Sequence, residues 1–382
     1  MGIINGQCMC IQGIILILIF IANSECNELK MVHVVSIISL ISLSFTYQNG
    51  KLSMYMLGTV LRQRYNNFLG NIYYPGVTRV RSTQSDRTMM SAQLVNAGLW
   101  PPQKSQRWKK DLLWIPIPYE YVKSDMDSLM YSYGCPTYKA EYERVLHSDE
   151  VQKLIEPHLK FFTYLSEHSG VKITRPRQVF FIHQILEAEV NYNLTIPSWT
   201  EGYFPDGEMY NVTLLEYEIA SKGDLLKKIL GGPLVHDILQ DYKKSIDDTS
   251  PIKFLPKITL YSGHESNIVS VLNTLGLWTP HIPDYSSAIM FELYLNNSTN
   301  EFGIQILYYL GKSGKTIPLT LPGCTQICPV NEFTKLLSNV IPDDVDKVCG
   351  MGIKSVENRG STISLQTTLF ITLQIWILLK MR

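Results

Sequence analysis

Two short segments carry side chains that could bind and cleave a phosphate ester. Arg81 begins an Arg-Ser-Thr sequence, and His264 and Glu265 close a Ser-Gly-His-Glu sequence. A guanidinium can hold two phosphate oxygens with its planar fork, and an imidazole can donate a hydrogen bond or move a proton. A carboxyl group can protonate a leaving oxygen when its surroundings raise its pKa. These residue types predict a phosphate-ester site, but no nucleophile accompanies them.

Each of these side chains also has a purely structural interpretation. Arg81 could form a surface ion pair, and His264 with Glu265 could cap a helix. Asp86 with Arg87 could be an ordinary ion pair or a helix cap that fixes the loop. A zinc protease is excluded, because no HExxH sequence follows His264.

The neighbouring pattern predicts elements that would place Arg81 at the end of a strand. The Val-rich first half of the apolar stretch 29–43 is typical of a buried parallel strand, and residues 50–70 have helical apolar spacing. Residues 77–81 form a second strand, and a helix over 85–97 is expected to end at Gly98. This alternation predicts an α/β fold, with a mainly parallel central sheet flanked by helices.

His264 stands at a second junction of the same kind. Residues 256–261 predict a strand and residues 266–277 a helix, and a further antiparallel group covers 288–296, 302–310 and 316–321. The turn between the last two contains GKSGKT, but a phosphate loop would need glycine where Tyr309 stands. Ligands of open α/β sheets bind beyond the carboxyl ends of the strands, where helix N-termini favour anions. Arg81 and His264 are therefore expected at one edge of the sheet.

Length and charge restrict the class of protein. The chain has 382 residues, and its 34 Lys and Arg balance its 34 Asp and Glu, so the electrostatic signature of a nucleic-acid-binding protein is missing. Amphipathic helical patterns dominate the middle. We therefore expect a discontinuous α/β domain over 25–136 and 251–350, interrupted by an α-helical lobe over 137–250.

The two ends and the sequons indicate the secretory pathway. Residues 1–24 contain an apolar run of signal-peptide length, although no basic residue precedes it; a buried N-terminal element is the alternative. Residues 363–379 predict a marginal membrane span closed by basic residues; a processed tail is the alternative. Four sequons support an extracellular or lysosomal glycoprotein, at Asn193, Asn211, Asn296 and Asn297.

Five cysteines follow the presumed signal peptide. Cys324 and Cys328 are close enough to bridge locally, a bond between Cys135 and Cys349 would close a long loop, and Cys26 remains. A zinc site is disfavoured because no second pair of ligands stands at the required spacing, and we expect neither a metal nor another cofactor.

Three segments resemble the histidine acid phosphatases, and most of all the secreted insect branch that includes venom acid phosphatases. They are GKLSMYMLGTVLRQRYNNFLG from Gly50, RVRSTQSDRTMMSAQLVNAGLWPP from Arg79 and ITLYSGHESNIVSVLNTLG from Ile258. The resemblance runs over about residues 29–349. It implies hydrolysis of phosphate monoesters in two steps, through a phosphohistidine formed by a histidine in an RHGxR loop.

The resemblance also implies roles for individual residues. Arg81 matches the third phosphate-binding arginine, His264 matches the distal histidine, and Glu265 occupies the place of the proton donor, which is often Asp in relatives. The bridges Cys135–Cys349 and Cys324–Cys328 match family disulfides. A homodimer is implied as well, with a phosphate monoester or inorganic phosphate as the small-molecule partner.

The chain departs from the family where the nucleophile belongs. No RHG sequence occurs anywhere, and after Val35 the apolar residues 36–48 replace the loop. His33 lies within the predicted strand and is not a candidate nucleophile. We therefore expect no phosphatase turnover from this chain, and we expect residues 36–45 to pack poorly.

Three explanations of the missing loop remain open. The protein has lost catalysis and serves as an anion-binding or interaction protein, or the sequence skips an exon or reads through an intron of an active phosphatase. The third explanation is residual hydrolysis by another residue, for which the sequence offers no candidate.

Overall fold

A computed structural model describes residues 27–37, 48–247 and 255–351. The predicted signal peptide at 1–24, the predicted membrane span at 363–379 and Cys26 lie outside these residues. In the described part of the chain, no helix combines the length and apolarity that crossing a membrane requires.

The core of the molecule is one mixed β-sheet. Its strands run in the order β3-β2-β4-β1-β5-β6-β7, with β8 paired to β6. β1, β2, β3 and β4 are mutually parallel, and the remaining strands pair antiparallel. The strands are β1 (Asn27–Ile37), β2 (Thr78–Ser82), β3 (Glu120–Tyr121), β4 (Ile258–Gly263), β5 (Ala288–Asn296), β6 (Glu301–Tyr309), β7 (Thr316–Leu319) and β8 (Ile327–Pro329).

Helices cover both faces of the sheet, as the alternating pattern predicts. The twelve α-helices of the described residues are α1 (Gln48–Leu69), α2 (Asp86–Leu99), α3 (Pro136–Leu146), α4 (Asp149–Ile155), α5 (Leu159–Ser169), α6 (Pro176–Asn191), α7 (Glu208–Ala220), α8 (Asp224–Leu230), α9 (Gly232–Ile246), α10 (Glu265–Thr274), α11 (Val330–Leu336) and α12 (Val345–Cys349). α1 and α2 bury their apolar residues against one face, and α9 and α10 cover the other. The α/β prediction is confirmed.

The helices between β3 and β4 build a second hydrophobic core. Tyr138, Phe162, Val179 and Val212 belong to it, with buried residues of α8. Leu234 and Ile238 of α9 instead pack in the core of the sheet. The division into 25–136 with 251–350 and a lobe over 137–250 stays a prediction, and α9 joins the lobe to the sheet.

The sequence predicted that α2 ends at Gly98, but it does not. The helix continues to Leu99, and Gly98 lies where α1 and α2 cross. A Cβ on Gly98 would collide with the backbone of Tyr55, and one on Gly58 would collide with the backbone of Val95. Both glycines therefore permit a close approach of the two helices.

Two disulfides cross-link the residues that the structure describes. Cys135 and Cys349 join positions 214 residues apart, and Cys324 and Cys328 close a short loop. Both predicted pairings are confirmed. The long bridge ties α12 to the start of α3, so it connects the end of the described chain to the helical region.

Candidate functional site at the carboxyl edge of the parallel strands

Three parallel strands end side by side at the edge that carries the site. Ser82 of β2 and Ser36 of β1 both align with Ser262 of β4, and Ile37 aligns with Gly263. The backbone N–H of Thr83 donates to the carbonyl of Ser262 across this edge at 3.2 Å. The two motifs, more than 180 residues apart in sequence, therefore lie on neighbouring strands.

His264 is held by a chain of hydrogen bonds that fixes its tautomer. Its Nδ1 lies 3.2 Å from Nη2 of Arg87, which can only donate, so Nδ1 accepts and Nε2 carries the proton. That Nε2–H donates to Thr83 Oγ1 at 3.1 Å. The Thr83 hydroxyl donates to Thr88 Oγ1 at 3.0 Å, and Thr88 donates to backbone carbonyls. Each donor in this series of hydrogen bonds has an acceptor. Because Nδ1 accepts and carries no proton, the imidazole ring is neutral.

The surroundings of His264 reinforce its neutral state. Burial, with the positive charge of Arg87 as a second cause, lowers the pKa of His264 to about 3. Its backbone N–H donates to Asn267 Oδ1 at 2.8 Å, which caps α10. The imidazole can therefore accept and donate hydrogen bonds, but it carries no positive charge near neutral pH.

Arg81 contacts a carboxylate instead of His264. Its Nη2 lies 2.8 Å from Asp127 Oδ1, both side chains are almost completely buried, and its Nη1 donates to the carbonyl of Ser82. Asp127 Oδ1 also accepts the Met130 N–H at 3.0 Å, while Asp127 Oδ2 has no hydrogen-bond partner among the described residues. The guanidinium that sequence analysis assigned to phosphate thus holds an internal anion.

The sequence predicted that Arg87 pairs with Asp86 or caps a helix. In the structure its side chain contacts His264 instead. It is partly exposed in the first turn of α2, donates to His264, and forms no ion pair within the described ranges. Its Nε is buried without a hydrogen-bond partner there. The predicted Asp86–Arg87 ion pair is absent among those residues, so a positive charge remains at the edge of the site.

Glu265 is the first residue of α10 and lies beside His264. Burial raises its pKa, while its own backbone N–H and the charge of Arg87 act in the opposite direction. A carboxyl with a raised pKa keeps its proton to a higher pH, which suits a proton donor.

An acidic group of α6, Glu187, lies within electrostatic reach of Glu265. Burial and the charge of Glu265 raise the pKa of Glu187 on α6 to about 7, and Asp284 acts in the same direction. Asn191, one turn along α6, donates from Nδ2 to the Tyr285 hydroxyl at 3.4 Å. The helical region and the turn before β5 therefore place acidic side chains along one side of the site, with Lys312 also within electrostatic reach of Glu187.

His33 lies in the interior of the protein. It is fully buried in β1, and its Nδ1 lies 3.2 Å from the Tyr261 hydroxyl, which donates to Asp237. Burial lowers its pKa to about 3. A ring enclosed in this way cannot reach a substrate, in agreement with its exclusion from the sequence.

The segment that replaces the expected loop follows β1 at this edge. Ser36 and Ile37 continue the strand and are buried, so the expectation of poor packing is wrong for these two residues. The rest of 36–45 lies outside the described residues.

The predicted sequons fall on accessible parts of the structure. Asn193, Asn211 and Asn297 are exposed. Asn296 is half-buried, and its Oδ1 accepts hydrogen bonds from two following backbone N–H groups at 2.9 and 3.2 Å. Of the overlapping pair, Asn297 is the better acceptor for a glycan. Glycosylation itself stays a prediction.

Two of the site's residues could not be predicted from the sequence pattern. Asp127 lies in a loop after β3, and Glu187 lies on a helix of the inserted region. Thr83 and Arg87 stood within the RSTxxDRT motif, but their contact with His264 depends on the neighbouring positions of β2 and β4. Within the described residues, no group of side chains suits a metal ion.

Comparison with known sequences gives consistent matches along most of the chain. A family model described as Histidine phosphatase superfamily (branch 2) matches residues 33–309. Venom acid phosphatase Acph-1 of Apis mellifera is 38% identical over 327 residues, which cover 86% of this chain and 83% of that protein. Prostatic acid phosphatase of Homo sapiens is 32% identical over 310 residues, which cover 79% and 78%.

Solved structures show the same fold. A phytase of Hafnia alvei in complex with tartrate superimposes with a TM-score of 0.61, covering 85% of this chain and 98% of the phytase. Its apo form gives 0.60 with the same coverage. Sequence identity to the two structures is 15% and 14%, so this likeness concerns the fold alone.

Proposed function

We propose that this chain, which belongs to the histidine acid phosphatases of histidine phosphatase superfamily branch 2, binds phosphate monoesters. It does not hydrolyse them, because it cannot form a phosphohistidine. Family membership supports the ligand class. Loss of turnover and retention of binding are our own inferences from the site.

The observation that carries this proposal is the composition of the segment that leaves β1. β1 ends beside Gly263, next to His264, which is where the family resemblance places the nucleophile loop. Residues 38–50 contain no His, Arg, Lys, Cys, Asp or Glu. A phosphohistidine therefore has no imidazole from which to form, and two of the phosphate-binding guanidiniums are missing.

The remaining groups favour an anion. The N-termini of α2 and α10 meet at this edge, where unpaired backbone N–H groups and helix dipoles attract negative charge. Arg87 adds a cation beside His264, whose two ring nitrogens already form hydrogen bonds with Arg87 and Thr83. Glu265, with its raised pKa, stands where the family places a proton donor, and it repels an anion less when protonated.

A direct assay tests the loss of turnover. When several groups act together in covalent catalysis, loss of one of them removes most of the rate. We therefore expect the protein to hydrolyse an aryl phosphate at mildly acidic pH no faster than buffer alone. The His264→Ala variant serves as the matched control. Hydrolysis that falls in this variant would show that the site turns over.

An active phosphatase encoded by a different transcript is the second candidate. The intact fold around the site and the apolar, motif-free residues 36–48 favour it, because only the loop is altered. Amplifying the transcript across residues 35–49 discriminates the two. A product that encodes RHGxR at this place would assign phosphatase activity to the gene and leave the present chain as a variant.

The relatives and the disulfides support passage through the secretory pathway. The relatives include a venom acid phosphatase and the lysosomal acid phosphatase of Homo sapiens, in line with passage through the secretory pathway. Two disulfides fit an oxidising compartment. The signal peptide, the C-terminal membrane span and the homodimer stay predictions.

A further inference from the structure

A buried amide on α2 has no hydrogen-bond partner. Asn96 is 3% exposed, and neither Oδ1 nor Nδ2 of its side chain forms a hydrogen bond within the part of the chain that the structure describes. Its backbone carbonyl accepts the Trp100 N–H at 2.9 Å, so the backbone of the helix is regularly bonded here. A buried polar group without a partner is destabilising, and native proteins contain few of them. A leucine at this position would avoid the cost, so the amide is expected to serve a ligand.

Asn96 lines a pocket between α2 and the segment that leads into β3, which we call the Asn96 pocket. Its volume is about 360 Å³. Gln93 of α2 also lines it, and the rest of the lining comes from residues 114–119, with the sequence WIPIPY. No Asp, Glu, Lys, Arg or His contributes to the lining. This favours a neutral ligand, because nothing in the lining would compensate a charge taken out of water.

Aromatic rings and prolines form the apolar surface of the Asn96 pocket. Trp114 and Tyr119 begin and end the lining segment, with Pro116 and Pro118 between them. The Trp108 Nε1–H donates to the Trp114 carbonyl at 3.0 Å, and the two indole rings pack edge to face with centroids 6.5 Å apart. These contacts fix the position of Trp114. Flat apolar side chains of this kind suit a planar ring, whereas they offer water few hydrogen bonds.

The side chain of Asn96 determines which polar group the ligand should carry. A primary amide presents an acceptor and donors in one plane, so it pairs best with a group that offers a donor next to an acceptor. Since neither amide atom is engaged by the described residues, the side chain can turn towards a ligand without breaking a hydrogen bond. Ordered water could also satisfy both atoms, but it would gain little from the aromatic and proline surface.

We propose that the Asn96 pocket binds a neutral planar molecule that carries a hydrogen-bond donor next to an acceptor. Aromatic amides and nucleobases share this chemistry. The pocket is separate from the phosphate site, because Asn96 and Arg87 lie about 13 Å apart along α2 at a rise of about 1.5 Å per residue. The inference is therefore independent of the proposed function.

Saturation-transfer NMR of the full chain with benzamide and with adenine tests the proposal. Both probes should bind, and each should displace the other from the Asn96 pocket. Acetophenone keeps the ring and the acceptor of benzamide but has no donor, so we expect it to bind about fivefold more weakly than benzamide. Benzoate is charged and should not displace either probe.

Two substitutions remove the amide from the pocket. Asn96→Leu puts an apolar group in its place, and Asn96→Ala does so without adding volume. Both should weaken benzamide binding by about tenfold, because the hydrogen bonds to the buried amide are lost. Asn96→Leu should also shift the midpoint of urea unfolding to higher urea concentration, since it removes a buried polar group that has no partner.

The matched control is Asn67→Leu, on the exposed surface of α1. It brings the same gain in helix propensity, so its shift in the urea midpoint measures that gain alone and should be the smaller of the two. Benzamide should bind this variant as tightly as it binds the unmodified chain.

Binding that falls in both Asn96 variants and persists in Asn67→Leu supports the proposal. Tighter binding of adenine then indicates a nucleobase as the ligand, and tighter binding of benzamide indicates a simpler aromatic amide. If neither probe binds the unmodified chain, the proposal is overturned and ordered water fills the pocket. Equal binding of benzamide to Asn96→Ala and to the unmodified chain would overturn it too, because the probe would then occupy another place.

Discussion

At the scale of single residues, the properties of the site depend on which charged side chains already have a partner of opposite charge within the protein. Residue types and positions predicted a role for Arg81, His264 and Glu265, and the structure places the two motifs next to each other through the contact of Thr83 with His264. It did not identify Asp127, because nothing in its neighbourhood signals that a loop carboxylate reaches Arg81. Residue type predicts what a side chain can do, but its partners depend on the tertiary fold.

The protonation of His264 is the first testable consequence at this scale. Its lowered pKa means that the folded protein keeps the ring neutral below the ordinary value, so His264 contributes stability that is lost as pH falls from about 6.5 towards about 3. In nitrogen-detected NMR spectra, we expect an Nε2–H tautomer that does not titrate between pH 8 and pH 5. A titration midpoint near 6.5 would contradict the hydrogen-bond chain through Thr83.

The Arg81–Asp127 pair gives a second prediction. Asp127→Asn leaves a buried guanidinium without its counter-charge, which should lower the free energy of unfolding by about 3–5 kcal/mol. The double variant with Arg81→Gln should lose less than the sum of the two single variants, in urea unfolding at pH 7. Additive losses would indicate that the two side chains do not interact.

At the scale of elements, hydrophobic periodicity predicted most of the strands and helices of the sheet region. β1, β2, β4 and the antiparallel strands lie where alternation and apolar runs placed them, because these patterns record which face is buried. Gly98 was misassigned because a glycine near a helix end resembles a terminator, although here it serves contact with α1. Close helix packing involves residues that are distant in sequence, so local pattern alone cannot reveal it.

Substitution of Gly98 tests this packing. The added methyl group of Gly98→Ala would meet the backbone of Tyr55, which cannot move aside as a flexible side chain could. Despite the better helix propensity of alanine, we expect a loss of about 1–3 kcal/mol in the free energy of unfolding. Gln93→Ala, on the exposed side of the same helix, should change it by less than about 0.5 kcal/mol. Equal effects of the two substitutions would show that the helices are not in tight contact.

At the scale of the whole molecule, the inserted helices and the sheet share the site. Glu187 and Asn191 come from α6, whereas Glu265 and Tyr285 come from the sheet region. The helical middle could be predicted from amphipathic spacing, but its contribution to the site could not, because docking of the lobe is a long-range contact. The bridge Cys135–Cys349 adds a covalent link between α12 and the start of α3.

The two disulfides should stabilise the molecule unequally. In the chain-entropy model, a bridge across 214 residues contributes about 5.4 kcal/mol and one across 4 residues about 2 kcal/mol. The paired variant Cys135→Ala with Cys349→Ala should therefore lose more stability than Cys324→Ala with Cys328→Ala, when unfolding is followed in urea under non-reducing conditions. The reverse order would mean that local strain or packing outweighs loop length.

The most direct test of binding without turnover is phosphorus NMR of phenyl phosphate mixed with the purified full chain at mildly acidic pH. If the chain binds the ester, the ester resonance should broaden. Because residues 38–50 contain no histidine or arginine, we expect no inorganic phosphate to accumulate above the buffer control. Growth of an inorganic phosphate signal that disappears in the His264→Ala variant would contradict the loss of catalysis. An ester resonance that stays sharp at high protein concentration would contradict binding.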